Sequence, residues 1–369
     1  MNISIHDIKR DGEEMEFTVK NCDVSIINAL RRTIIAHIPC VVFRTTPYEK
    51  SNVTITENTS RLNNEIIKQR LSCIPIHIDN LYNGNDYLVE LNEENNTNSM
   101  KYVTTEHFNI KNTSTDKYLD RTEVKRIFPK NKLTNEYILI TRLRPSLTND
   151  TDGEKISLSG TFDTSSANED GCFNVASMCA YGMKPDLAKQ NAAWLSKEKE
   201  LKDSGLSDSE VLDEKENWYN HDAKRIYEKD SFIFKLETIG VYSCDDLVAT
   251  ACNIMSLKLS ELYTNLDERE NLISNSDTLM NGFDFRIDND DYSIGKSLEY
   301  VMYKQYYEDE KIIDFVGFRK FHPHDDYSVL RISFKDETVD EATAKNYLQR
   351  SIQEVVQLFT SIQSEFTKS

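Results

Sequence analysis

Hydrophobic and polar residues alternate over the first twenty positions: Ile3 and Ile5 in one run, Met15, Phe17 and Val19 in the next, with Asp11-Gly12 between them. A period of two around a dipeptide able to take positive φ predicts a hairpin. From Ser25 the period becomes helical. Ile27, Leu30 and Ile34 share a face, Arg31 and Arg32 stand off it, Asp23 or Ser25 is available as N-cap, and Pro39 closes the run. Residues 80–230 break both periods, being Asn-rich from Asn83 to Asn98, basic from Arg121 to Arg144 and densely charged from Lys197 to Lys229. They predict an inserted, irregular region. A strand returns at Phe232-Ile233-Phe234-Lys235-Leu236-Glu237, followed by a helix in which Val248, Ala251, Met255, Leu259 and Leu262 recur every three or four positions.

The polar stretch from Asn265 to Asn281 predicts a linker. Beyond it the order of residues 15–38 repeats: Phe283, Phe285 and Ile287 alternate as a strand, an Asp/Asn turn follows, and Ile294, Leu298, Val301 and Met302 make a helix. Strands over 312–318 and 327–334 lead to a long helix with Leu348, Ile352, Val355, Phe359, Ile362 and Phe366 at alternating spacings of four and three. A seam this regular demands a partner helix. Helices over 25–37, 245–262, 294–307 and 340–366 can bury their stripes only against each other, because each short strand set presents one apolar face. The expected core of that bundle is Leu30, Ile34, Val248, Met255, Leu259, Leu298, Leu348, Ile352, Val355 and Phe359.

Composition narrows the function classes. A length of 369 residues suits two to three domains. With 62 acidic against 44 basic side chains the net charge is −18, which repels a phosphate backbone and disfavours a freestanding nucleic-acid binder. No apolar stretch approaches a membrane span and the N-terminus lacks signal-peptide order, so a soluble intracellular chain is expected. The seven cysteines never stand in C-x-C or C-x-x-C, which argues against a disulfide scaffold or zinc ribbon. No P-loop, H-E-x-x-H, nucleophile elbow or magnesium-binding carboxylate set occurs.

The stretch Asn28-Ala29-Leu30-Arg31-Arg32-Thr33-Ile34-Ile35-Ala36-His37-Ile38-Pro39 resembles the signature helix of the RNA polymerase alpha family, which comprises the bacterial alpha subunit, its archaeal D-type counterpart and the third-largest subunit of eukaryotic RNA polymerase II. Asn58-Thr59-Ser60, Glu65-Ile66-Ile67, Arg70-Leu71 and Ile74-Pro75-Ile76 resemble its next block, and residues 231–262 its returning half. Tyr292-Ser293-Ile294-Gly295, Val316-Gly317-Phe318, His322-Pro323-His324 and Leu330-Arg331-Ile332 look like the archaeal L-type protein and the eleventh eukaryotic subunit. Both halves in one polypeptide is an arrangement the resemblance associates with large nucleocytoplasmic DNA viruses. The implied fold is α+β: two alpha-type dimerisation units joined in one chain, a shared helical bundle packed on antiparallel strands, and an inserted α+β domain. The third-subunit-like unit takes 1–48 and 231–264, the insert 49–230, the linker 265–281 and the eleventh-subunit-like unit 282–369. Between Cys73 and Cys172 no cysteine occurs, where several family members carry a zinc loop, so neither a structural metal nor any cofactor is expected.

The resemblance implies a non-catalytic assembly platform holding the largest and second-largest polymerase subunits, beside a small zinc-binding subunit, with nucleic acid touched only indirectly and no membrane contact. Its expected setting is the host cytoplasm, in virus factories, and the virion, with the nucleus as alternative. Partner-facing candidates are Asn28, Arg31, Arg32, Arg70, His322 and His324. Arg31 and Arg32 are expected to present fork-shaped donors free for a partner's carboxylates or carbonyls, against the plainer reading of a solvated helix face. His322 and His324 could share one side of a strand, but two histidines without further ligands rarely hold zinc, and a Pro-shaped loop is favoured. From Arg121 to Arg144 seven cations face two acids, which suits a solvated surface or contact with an acidic partner or nucleic acid. Residues 197–230 read as a charged surface helix or a docking arm. Outside the polymerase reading stand a homodimeric α+β adaptor using the 348–366 seam and an enzyme with its site in 80–230.

Overall fold

A computed structural model describes residues 3–78, 86–146, 153–268, 273–276 and 279–367. Strands β1 (Ser4–Asp11) and β2 (Glu14–Lys20) precede helix α1 (Val24–Ala36). Next come β3 (Cys40–Val42), β4 (Val53–Asn58), α2 (Asn64–Ser72), β5 (Tyr87–Glu94), β6 (Lys101–Thr104), β7 (Asn109–Asn112) and β8 (Lys117–Tyr118). Helix α3 (Arg121–Ile127), β9 (Leu139–Leu143), β10 (Lys155–Thr161), β11 (Asp163–Ser165) and β12 (Ala176–Pro185) follow. Then α4 (Leu187–Asp203), α5 (Asp208–Asn220), β13 (Tyr227–Thr238) and α6 (Cys244–Glu268) lead to β14 (Ile273–Asn275), β15 (Gly282–Asp288) and α7 (Tyr292–Met302). The chain ends with β16 (Ile313–Arg319), β17 (Tyr327–Phe334) and α8 (Glu341–Phe366). None of the described helices is long and apolar enough to cross a membrane.

Contacts divide the chain into two compact units, one of residues 1–34, 178–237 and 244–369, the other of 35–177 and 238–243. The first holds two four-stranded sheets, β1-β2-β13-β12 and β14-β15-β17-β16. Gly12, at φ +61°, turns the first hairpin, as Asp11-Gly12 predicts. Alternation then does its work: Met15, Phe17 and Val19 of β2 and Phe232, Phe234 and Leu236 of β13 are all buried, with Phe17 stacked on Phe234 at 5.0 Å.

Helices α6 and α8 run antiparallel along their seams. Gln363 near the end of α8 donates to the Ala249 carbonyl near the start of α6 at 3.3 Å. At the other end Lys345 lies 2.7 Å from Asp267, to which Gln349 donates at 3.0 Å. All ten expected core residues are buried, from Leu30 and Ile34 of α1 through Val248, Met255 and Leu259 of α6 and Leu298 of α7 to Leu348, Ile352, Val355 and Phe359 of α8. Phe366 reaches the N-terminal sheet, its ring 5.0 Å from Phe17. Burying such a side chain is worth about 1.5–3 kcal/mol relative to exposing it, so this seam outweighs any ion pair at its ends. Gly295 lets α7 close on β16, since a Cβ there would stand 2.0 Å from the Phe318 ring.

The second unit corrects the expectation of irregularity across 80–230. Its five-stranded antiparallel sheet, β4-β10-β5-β7-β8, buries Ile156 and Leu158 of β10 against Val89 and Leu91 of β5. Phe43, Phe108, Phe128 and Phe162 pack as an aromatic cluster with centroids 5.0–6.4 Å apart. Polar loops between short strands diluted that alternation in the sequence. Glu154 is buried against Arg144, which donates from Nε to one carboxylate oxygen at 2.7 Å and from its backbone N–H to the other at 2.7 Å. Burial pushes the Glu154 carboxyl up, yet these hydrogen bonds prevail and hold it below its ordinary 4.5.

Two boundaries differ from those read in the sequence. Residues 178–230 sit with the first unit because β12 is the fourth strand of its sheet, beside β13. There α4 and α5 carry a small core of their own, with Trp194 and Trp218 5.6 Å apart, where a charged surface helix was expected. The expected linker also holds structure. Leu266 is buried in the last turn of α6, and β14 pairs with β15 through Ile273 and Phe285; residues 269–272 and 277–278 lie outside those described.

Gly295→Ala should lower stability by about 1–3 kcal/mol in chemical denaturation, the usual cost of overpacking. Glu154→Gln tests the buried carboxylate. A depressed native pKa stabilises the fold fully above 4.5 and less as pH falls through the native value, so the gap between wild type and variant should narrow below pH 4.5. A gap independent of pH would show that Glu154 contributes by shape alone.

Candidate partner interface

Helix α1 begins at Asp23, whose Oδ1 accepts from the Ser25 N–H at 2.8 Å and from the Ser25 hydroxyl at 2.6 Å. Ile26, Ile27, Ala29, Leu30, Thr33 and Ile34 are buried. The remaining stripe carries exposed Val24 and Ile35 together with Asn28, Arg31 and Arg32. Asn28 Oδ1 accepts from Arg31 Nε at 3.1 Å and Nη2 at 3.0 Å, which folds that guanidinium along the helix.

Arg32 corrects the expectation of free donors. Its Nε donates to the Ser293 hydroxyl at 3.1 Å and its Nη2 to the Asp291 carboxylate. Asp291 is also the N-cap of α7, accepting from the Ser293 N–H at 3.1 Å. The neighbouring Asp290 lies 3.0 Å from Lys258 of α6. Two adjacent carboxylates at the start of α7 are thus each neutralised by a cation more than thirty positions earlier in the chain. A helix read in isolation cannot reveal such a partner.

Beside these contacts α1 and α7 border a groove of about 550 Å³ that Asn28 and Arg32 share with Tyr181, Tyr292, Lys296, Tyr300 and Tyr303. Tyr292 and Tyr303 are 45% and 43% exposed, enough to offer a ring face and a hydroxyl together. Tyr303 stacks on Tyr307 at 4.9 Å where α7 widens into a π-helical turn, a distortion frequent at functional sites. Burial, aided by the Asp23 charge, pushes the Tyr300 hydroxyl up to about 12, so it remains a donor. The sequence reading missed these tyrosines. Their spacing (292, 300, 303 and 307) follows one helical face and was the available signal.

The other candidates lie elsewhere. Arg70, on α2 of the second unit, donates from Nη2 to the Leu139 carbonyl at 2.6 Å. His322 and His324 occupy the turn between β16 and β17 rather than one side of a strand, because β16 ends at Arg319 and the His322 N–H donates to Asp325 at 2.9 Å. The His324 N–H in turn donates to His322 Nδ1 at 3.1 Å. Among the described residues no three His, Cys, Asp or Glu side chains gather to hold a metal. Burial pushes the Cys40 thiol up to about 11 and Cys172 and Cys179 up to about 12, which leaves little nucleophilic thiolate at neutral pH.

Residues 16–259 match the RNA polymerase Rpb3/Rpb11 dimerisation domain. The chain belongs to that family. The match takes in α1 and most of α6, while α7, β16, β17 and α8 lie beyond it. Against the RNA polymerase subunit Rpo3 of Methanosphaera stadtmanae, identity is 24% over 304 residues, 73% of this chain and the whole of that one. The RPAC1 subunit of Homo sapiens RNA polymerases I and III is 36% identical over 78 residues, about a fifth of each chain. A conjugation stage-specific protein of Tetrahymena thermophila is 42% identical over 62 residues, and the chain spans only 18% of its length. The architecture is mixed α/β with antiparallel sheets, and its residues 16–259 carry the family's dimerisation domain.

A double-mutant cycle on Arg32 and Asp291, read by chemical denaturation, should give a favourable coupling of about 0.2–1 kcal/mol that shrinks with added salt. Zero coupling at low salt would remove the pair from holding α7 against α1.

Proposed function

We propose that this Rpb3/Rpb11-family chain is a non-catalytic assembly platform of a multisubunit DNA-directed RNA polymerase, with third-subunit-like and eleventh-subunit-like dimerisation units in one polypeptide. The observation that carries this reading is the antiparallel packing of α6, inside the family match, against α8, outside it. On this reading the units are residues 1–48 with 231–264 and residues 282–369. Each places a strand before a short helix and a second strand before a long one: β2, α1, β13 and α6 in one, β15, α7, β17 and α8 in the other.

Tethering such units gives an effective concentration on the order of mM, so a contact of about μM affinity is formed roughly a thousandfold in favour. Assembly then starts from a ready-made pair. The partners are the largest and second-largest catalytic subunits and a small zinc-binding subunit, with nucleic acid reached only through them. The groove beside α1 is the docking surface for one large subunit, Asn28, Arg32 and the exposed tyrosines forming its rim. A large nucleocytoplasmic DNA virus is the proposed source, and virus factories and virions the proposed setting.

Affinity purification of the tagged chain from cells that make its natural partners should recover two very large polypeptides in equal stoichiometry. Tyr292→Ala combined with Tyr303→Ala should reduce their recovery at least tenfold while the purified variant stays folded by circular dichroism, its melting temperature lowered only by the loss of the Tyr292–Phe318 and Tyr303–Tyr307 contacts. Recovery of the chain as a lone homodimer would overturn the platform; full recovery with the double variant would move the docking surface elsewhere.

A further inference from the structure

The second unit carries a basic groove of its own. Next to α2 and β9 lies a hollow of about 340 Å³ bordered by Arg61, Arg70, Arg142 and Arg144. Leu62, Met100 and Leu139 supply apolar surface between the guanidiniums. In a chain of net charge −18 this is a local reversal of sign.

Each arginine is set differently. Arg144 is neutralised by buried Glu154, on which Arg61 acts only through space. Arg70 is held by its 2.6 Å bond to the Leu139 carbonyl, which consumes one of its five donors. The Arg142 guanidinium lies over the Tyr102 ring, 5.1 Å from its centroid, and its N–H groups have no hydrogen-bond partner among the described residues. Neither Arg61 nor Arg142 forms an ion pair among the described residues. Three guanidinium forks around an apolar floor are thus available in one hollow.

We propose that this groove binds an acidic peptide segment of a partner protein, its carboxylates paired with Arg61, Arg70 and Arg142 and an apolar side chain on Leu62, Met100 and Leu139. Guanidinium forks match carboxylates in bidentate fashion. Nucleic acid suits the groove less well. Phosphates gain nothing from an apolar floor, no aromatic ring lines the hollow among the described residues for a base to stack on, and a long polyanion meets the −18 around it. The groove has these properties whether or not the chain assembles with polymerase subunits.

The test is fluorescence anisotropy of the full-length chain with a labelled synthetic peptide of alternating Glu and Leu. Saturable binding that weakens with salt is expected, reduced at least tenfold by Arg61→Gln plus Arg142→Gln, neither of which removes an ion pair among the described residues. Met100→Glu, at a side chain 44% exposed, should weaken it similarly by repelling the carboxylates. Replacing Leu by Ser in the peptide should also reduce binding. Unchanged affinity in both variants would overturn the proposal, and so would an oligothymidylate of equal charge that binds as tightly and loses affinity in the same variants.

Discussion

Two long amphipathic helices in one chain, each with a continuous apolar stripe, have no stable state in water unless the stripes meet, and α6 and α8 meet along their whole length. Most of what surrounds them follows. An antiparallel pair spanning Cys244–Glu268 and Glu341–Phe366 brings the start of one helix to the end of the other, so Phe366 arrives at the N-terminal sheet and stacks edge-on to Phe17. Residues at opposite ends of the sequence therefore share one hydrophobic core, and folding of the first sheet is coupled to the last helix of the chain.

Charge performs a different task. Half-exposed ion pairs such as Arg32 with Asp291 contribute too little to decide stability against a seam of buried Leu, Ile, Val and Phe. They act on register instead. Asp290 and Asp291 sit side by side at the start of α7, and each is met by a cation from another helix, Lys258 of α6 and Arg32 of α1. Rotating or sliding α7 would leave adjacent carboxylates uncompensated near the helix start. The apolar seam brings the helices together, and the paired acids select one arrangement of them.

How much of this the residues revealed beforehand depended on the range of the interaction. Hairpin β1–β2, α1, β15, α7 and α8 follow from periodicity and local turn or capping chemistry, all of which act within a few positions. Arg32 was misjudged for the opposite reason: its acceptor lies 259 positions away, and no local pattern on α1 records it. The second unit was obscured by dilution, since four phenylalanines from separate segments, Phe43, Phe108, Phe128 and Phe162, build its aromatic cluster across long polar loops. Strand β12 escaped notice because at an edge of the sheet, with Met178 and Met183 exposed, its sequence need not alternate cleanly.

The groove beside α1 depends on both the seam and the paired acids. Once these fix α7 against α1, the rings of Tyr292 and Tyr303 border one groove with Arg32 and Asn28 without any partner present. A surface prepared in this way loses little conformational entropy when another protein docks, because aromatic side chains on helices have few rotamers left to freeze. On the proposed reading as a platform, the chain needs that property more than it needs tight contacts of its own. The same interactions that give the first unit its core thereby set the geometry on which a larger assembly can be built.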